Sequence, residues 1–107
     1  MSTQNKTRRQ KLEEFLTQNP TDAFTLYGIA LEFLRERDLV AAEKYFKELL
    51  QTNPEYVPGY QIYAQTLAEH DRAEEAKDLL NKGIAAASRQ GNQHARSEME
   101  GLLEQLG

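Results

Sequence analysis

The feature that most constrains the fold of this chain is an internal repeat with a period of 34 residues. Asn19-Pro20 recurs as Asn53-Pro54, and large and small residues that follow each dipeptide recur at the same offset. The matched pairs are Leu26 with Tyr60, Ile29 with Tyr63, Ala30 with Ala64, Phe33 with Leu67, Ala42 with Ala76 and Phe46 with Leu80. A fixed period of about 20 to 50 residues is typical of chains built from stacked copies of one supersecondary unit. The sequence therefore predicts at least two copies of such a unit.

Local signals place the ends of the predicted helices. A residue that precedes proline is disfavoured in helical conformation, so one helix is expected to end at Asn19 and another at Asn53. Thr21 or Asp22 can cap the helix that follows the first of these, and Asp38 begins another. The sequence thus predicts six helices, near residues 6–18, 22–36, 39–52, 57–69, 72–88 and 92–106.

The repeat resembles the tetratricopeptide repeat over residues 19–90. That family places bulky residues, small residues and a late proline at set positions of its unit. Repeat one (residues 23–56) matches with Leu26, Ile29, Phe33, Phe46, Ala30, Ala42 and Pro54, and repeat two (57–90) with Tyr60, Tyr63, Leu67, Leu80, Ala64, Ala76 and Gly83. The resemblance implies an all-α fold in which antiparallel helix-turn-helix repeats stack as a short right-handed α-solenoid.

Four residues depart from the family pattern. Leu49 stands at a small position, and Ser88 replaces the proline of repeat two. Arg37 and Asp71 replace the glycine between the two helices of a repeat, so each turn closes either without a positive φ there or with some strain. Asp71 with Glu74 also has the spacing of a capping box, which predicts the start of the fifth helix.

The chain is interpreted as a single domain, residues 1–107, with four parts. An N-terminal helix occupies residues 1–20, the two repeats follow, and a capping helix occupies residues 91–107. Stacked repeats usually need about three units to bury a continuous core, so the flanking helices are expected to supply the third. If the 34-residue period continued without a shift, polar residues would occupy the face of the last helix that packs against its neighbours, which we call the seam. A shift of one residue near Gly91 instead brings Ala95, Met99 and Leu102 into the seam.

Charge and composition exclude several classes of function. The net charge is −4; residues 1–53 carry eight basic and eight acidic side chains, while residues 54–107 carry five and nine. An acidic surface repels phosphate, so no nucleic acid partner is expected. The basic cluster Lys6, Arg8, Arg9 and Lys11 is interpreted as a solvated, fraying end, with contact to an acidic partner or membrane surface as the alternative. The absence of cysteine and of a long apolar segment predicts a cytoplasmic protein without a membrane span.

The family resemblance also implies a binding surface. In tetratricopeptide repeats the first helix of each repeat lines a concave groove that holds a peptide. The groove positions are occupied by Phe24, Tyr27, Leu31, Leu34 and Arg35 in repeat one, and by Pro58, Gln61, Gln65, Ala68 and Glu69 in repeat two. We expect Phe24, Tyr27, Leu31, Arg35, Gln61, Gln65 and Glu69 to bind a short extended or helical segment of a partner protein.

Two alternatives to an open groove follow from the apolar character of the helix from Phe24 to Leu34. A helix that is apolar almost all round is usually packed between neighbours, so the N-terminal helix would cover Phe24, Leu31 or Leu34. The same surface would otherwise form a homodimer contact. The carboxylate clamp of chaperone-binding family members is replaced by Tyr27, Leu31 and Ile62, so chaperone binding by that route is not expected.

No pattern for catalysis or metal binding occurs in the sequence. His70 and His94, the two histidines, lack the spacing of metal ligands, and the glycines are scattered singly instead of forming a phosphate loop. The sequence therefore predicts an adaptor or assembly factor with no enzyme activity, no cofactor and no metal, present as a monomer or weak homodimer.

Overall fold

The computed structural model describes residues 6–107, which form six α-helices and no strand. The helices are α1 (Arg8–Gln18), α2 (Ala23–Arg35), α3 (Leu39–Thr52), α4 (Val57–Glu69), α5 (Ala73–Arg89) and α6 (Gln93–Leu106). The all-α prediction is confirmed, and every helix end lies within two residues of its expected position. Residues 1–5 of the predicted N-terminal segment lie outside the described residues.

The helices group into two compact units. The N-terminal unit, Met1–Asn53, contains α1 to α3, and the C-terminal unit, Pro54–Gly107, contains α4 to α6. Within the first unit α2 packs against both α1 and α3, and within the second α5 packs against both α4 and α6. The interpretation of the whole chain as a single domain stays a prediction.

The expected signals determine most helix ends. Asn19 and Asn53 are the C-caps of α1 and α3, each directly before its proline. The Asp22 carboxylate caps α2 by accepting a hydrogen bond from the backbone N–H of Thr25 at 3.0 Å. Asp38 caps α3 in the same way. These side chains satisfy backbone donors that the first turn of a helix leaves without an intrahelical partner.

The two turns within the repeats close with strain. Arg37 and Asp71 both have φ of 62°, a left-handed conformation that glycine would adopt at little cost. Each turn is closed by a backbone N–H that donates to the carbonyl oxygen five residues earlier. Asp38 N donates to Phe33 O and Arg72 N donates to Leu67 O, both at 2.9 Å. The predicted capping box at Asp71 is wrong, because the left-handed residue belongs to the turn and α5 begins two residues later.

Glycine residues allow neighbouring helices to pack closely against each other within each unit. A Cβ atom on Gly28 of α2 would lie 3.1 Å from Cδ1 of Leu12 in α1, and one on Gly83 of α5 would lie 2.7 Å from Cβ of Tyr60 in α4. Fully buried Leu26 and Phe46 lie in the core of the N-terminal unit. Close packing around the glycines explains why these sites tolerate no larger residue without movement.

The last two helices follow the sequence pattern. Because Ser88 takes the place of the proline, α5 continues to Arg89. Ala95 and Met99 are buried in the C-terminal unit, which confirms the one-residue shift predicted near Gly91. Gly91 itself has φ of 69° and ends the turn between α5 and α6.

Candidate functional site

An open cavity of about 580 Å³ lies in the C-terminal unit, mainly between α4 and α6. We call it the α4–α6 cavity. Its lining residues are Gln61, Gln65, Ala68 and Glu69 of α4, Leu80 of α5, and Glu98, Met99, Gly101, Leu102 and Gln105 of α6. Three of the seven predicted binding residues, Gln61, Gln65 and Glu69, are therefore brought together here.

Helical spacing explains how these residues come to share one surface. Gln61, Gln65 and Glu69 are four residues apart and lie along one face of α4. The opposite face of α4 carries Tyr63 and Leu67, which are buried. Burial of the apolar face thus orients the polar face toward the cavity.

Acceptor atoms dominate the polar part of the α4–α6 cavity. Its charged lining residues are Glu69 and Glu98, and no Lys or Arg is among them. Gln61 Nε2 donates to Glu98 Oε1 at 3.1 Å, and Gln65 Nε2 lies 3.4 Å from Glu69 Oε2. Each bond uses one N–H of its amide, and the two carboxylates and the amide oxygens together offer more acceptor sites than the remaining amide N–H groups offer donors.

The apolar part of the cavity comes from α6. Met99 is almost completely buried, and Leu102 is half-buried beside it. A Cβ atom on Gly101 would meet no heavy atom within 4 Å, so the helix presents bare backbone to the cavity at this point. Sequence reasoning missed this contribution of α6. The sequence did contain a signal for it: Glu98 is charged and Gly101 has no side chain, so neither suits a packed face of the helix and both are better placed at an open surface.

The predicted residues of α2 belong to the N-terminal unit and do not line the α4–α6 cavity. Tyr27 and Leu31 are half-buried, while Arg35 is exposed and its Nη2 lies 3.6 Å from Oε2 of Glu32. Phe24 is 64% exposed. The alternative in which the N-terminal helix covers this phenylalanine is therefore wrong.

Phe24 instead lines a separate cavity of about 720 Å³, which we call the α1–α2 cavity. Its lining residues are Arg8, Lys11, Leu12, Phe15, Asp22, Phe24 and Thr25. It lies beside the turn at Pro20 that connects α1 to α2. The N-terminal and C-terminal units thus each contain an open cavity.

A comparison with protein families identifies the repeat. The family model described as tetratricopeptide repeat matches residues 33–105. The chain belongs to the tetratricopeptide repeat family. Tetratricopeptide repeats generally mediate protein–protein interactions.

Individual relatives agree with this assignment. A TPR repeat-containing protein of Pseudomonas aeruginosa is 22% identical over 95 residues, which cover 89% of this chain and 90% of the relative. The solution structure of a tetratricopeptide repeat domain protein from Salinibacter ruber is 32% identical, with a TM-score of 0.77 over 81% of this chain and 88% of that one. A Bordetella parapertussis protein is 21% identical with a TM-score of 0.77, covering 94% and 88% of the two chains, and shares the fold.

Residues 6–107 contain neither a membrane-spanning helix nor a metal-binding cluster. No helix in this range combines the length and apolar character needed to cross a bilayer. No three side chains of His, Asp or Glu within it cluster closely enough to hold a metal ion.

Proposed function

We propose that this protein is a non-enzymatic adaptor whose α4–α6 cavity binds a short extended segment of a partner protein that carries Lys or Arg. The acceptor-rich lining of the cavity is the observation on which the proposal depends. An extended segment offers backbone N–H donors, and a basic side chain adds a charged donor.

Charge favours a basic ligand over an acidic one. Residues 54–107, which form the C-terminal unit, carry five basic and nine acidic side chains. Glu69 and Glu98 place two of these carboxylates at the α4–α6 cavity. His94 Nε2 lies 3.2 Å from Glu98 Oε2, and no Lys or Arg among residues 6–107 forms an ion pair with Glu69 or Glu98. A Lys or Arg side chain bound here would gain charge-assisted hydrogen bonds.

The size of the cavity suits a short segment. A volume of about 580 Å³ is in the range of pockets that hold small ligands or a few residues of peptide. The apolar atoms of Met99 and Leu102 would pack against the aliphatic part of the bound side chain. In the N-terminal unit, Tyr27, Leu31 and Arg35 of α2 remain proposed contact residues for the partner.

A peptide titration tests the proposal. The probe is a synthetic peptide of Gly and Ser with two central Lys residues, and its control has Gln in place of both. We expect amide shifts concentrated on α4 and α6 with the Lys peptide and few with the Gln peptide. Shifts confined to α3 and the outer face of α5 would contradict the proposal.

Two variants test whether the peptide binds at the α4–α6 cavity. Gly101→Leu adds a bulky side chain at the cavity, where the new Cβ meets no heavy atom within 4 Å, and Glu69→Gln removes one of the two carboxylates. Both should weaken binding of the Lys peptide severalfold, because the leucine side chain obstructs the cavity and glutamine removes a charge-assisted contact. Glu104→Gln changes the net charge equally but lies outside the lining of the cavity, so it serves as the control.

The second candidate function is self-association through the apolar surface of the first repeat. The exposure of Phe24 in the first repeat and of Phe15 in the adjoining α1 favours it, because large apolar side chains grouped at a surface commonly mark an interface. Light scattering over a range of concentrations measures this directly. A monomer mass at high micromolar concentration would exclude the homodimer.

A further inference from the structure

The structure separates the four basic side chains near the N-terminus into two groups. Lys6 pairs with Glu14, and Arg9 pairs with Glu36 of the turn after α2. Arg8 and Lys11 lie elsewhere on α1, where both line the α1–α2 cavity. Thr7 and Gln10 form a capping box at the start of α1, which satisfies backbone donors at this end of the helix. The interpretation of the cluster as a fraying end stays a prediction.

Positive charge is available at the rim of the α1–α2 cavity. The Arg8 side chain is 60% exposed although its Nε lies 3.2 Å from Oε2 of Glu32. Lys11 is exposed and forms no ion pair with any residue from 6 to 107. The one acidic lining residue, Asp22, is engaged as the cap of α2, since its Oδ2 accepts hydrogen bonds from N and Oγ1 of Thr25 at 3.0 and 2.6 Å.

Two aromatic side chains that line the same cavity are exposed to solvent. Phe15 is 51% exposed and Phe24 is 64% exposed. Among the described residues the exposed large hydrophobic side chains are these two and Val40, so two of the three share one cavity of about 720 Å³. Apolar surface grouped in this way, with a polar rim, is characteristic of a docking site.

We propose that the α1–α2 cavity is a second docking site, which binds an acidic segment of a partner protein through one or two large apolar side chains. Apolar side chains of the segment pack between Phe15 and Phe24, and its carboxylates face Arg8 and Lys11. The charge preference is opposite to that of the α4–α6 cavity, so the site goes beyond the proposed function and does not depend on it.

Shape and charge favour this occupant over two others. A concave pocket contacts an inserted side chain more fully than it contacts a planar bilayer, which argues for a protein segment over a membrane. In an isologous pair of copies the same surface meets itself, so Arg8 and Lys11 of both copies would be brought close together. Like charges at an apolar contact oppose such pairing.

Fluorescence anisotropy with a synthetic probe tests the proposal on the full chain. The probe is a labelled peptide in which Leu recurs at helical spacing with Glu at the remaining positions. One control peptide has Gln for every Glu, and a second has Ala for every Leu. We expect the probe to bind, its affinity to fall with added salt, and both controls to bind at least tenfold more weakly.

Matched variants locate the site. Phe24→Ala should weaken binding on the order of tenfold as loss of an aromatic anchor, and Lys11→Glu by a similar factor as a charge reversal. Val40→Ala and Lys47→Glu make comparable changes at exposed positions of α3 outside the cavity, and should change affinity by less than about twofold. Because all four side chains are exposed or solvent-facing, circular dichroism should show unchanged helix content.

Several results would overturn the proposal. These are failure of the probe to bind at millimolar concentration, equal binding of the Gln peptide, or equal weakening by the α3 variants. Concentration-dependent dimerisation that Phe24→Ala abolishes would assign the surface to a second copy of the chain. Binding of anionic phosphatidylserine vesicles but not of the probe would assign it to a membrane.

Discussion

Replacing Gly83 by alanine tests the close packing of the C-terminal unit. The added Cβ would lie 2.6 Å from Sδ of Met99 and 2.7 Å from Cβ of Tyr60. Non-bonded carbon atoms normally lie about 3.5–4.0 Å apart, and Tyr60 Cβ is attached to the backbone of α4, so the helix must move by roughly 1 Å. The flexible side chain of Met99 could adopt another rotamer, but a shift of the α4 backbone at Tyr60 would disturb the packing of the rest of the unit.

The expected net effect is a loss of about 2 kcal/mol in the free energy of unfolding. Overpacking of a core costs about 1–3 kcal/mol, and the fixed position of Tyr60 Cβ places this site at the upper end. Against that cost, alanine is favoured over glycine in a helix by about 1 kcal/mol. Urea unfolding followed by circular dichroism measures the difference.

The same substitution at Gly101 provides the control. A Cβ there meets no heavy atom within 4 Å, so only the helix propensity acts and Gly101→Ala should stabilise the protein by about 1 kcal/mol. Gly28→Ala should fall between the two, because its close neighbour is a movable methyl group of Leu12. If Gly83→Ala proved as stable as Gly101→Ala, the packing described around Gly83 would be wrong.

Three further predictions concern single contacts. Arg37→Gly should stabilise the protein by about 0.5–1 kcal/mol in urea unfolding, because it relieves the left-handed backbone at φ 62° but adds freedom to the unfolded chain; a destabilised variant would contradict this. Tyr60→Phe should cost about 1 kcal/mol, since the hydroxyl donates a hydrogen bond to Pro54 O at 2.8 Å, and an unchanged midpoint would count against that bond. Hydrogen bonds from Arg89 hold the pKa of Glu55 below its usual value of 4.5. Their stabilisation is therefore present above about pH 4.5 and is lost as the pH falls through the lowered pKa, so unfolding measured against pH should show a flatter acid limb in Glu55→Gln than in wild type.

The candidate site was predictable from the sequence only in part. The family spacing identified Gln61, Gln65 and Glu69, because residues four apart on one helix share a face wherever that helix packs. It could not show that Glu98 and Gly101 lie opposite them. That arrangement depends on how α6 packs beside α4, about 37 residues further along the chain.

What the sequence by itself determined was the helices, their ends and their buried faces. Periodic apolar residues, the Asn-Pro dipeptides and the caps Asp22 and Asp38 act over a few neighbouring residues, so they specify local structure wherever they occur. The tertiary structure decided which faces remained open. Phe24 belongs to an apolar helix, yet it is exposed because α1 and α2 leave a cavity around it, and only the packing of whole helices determines such a gap.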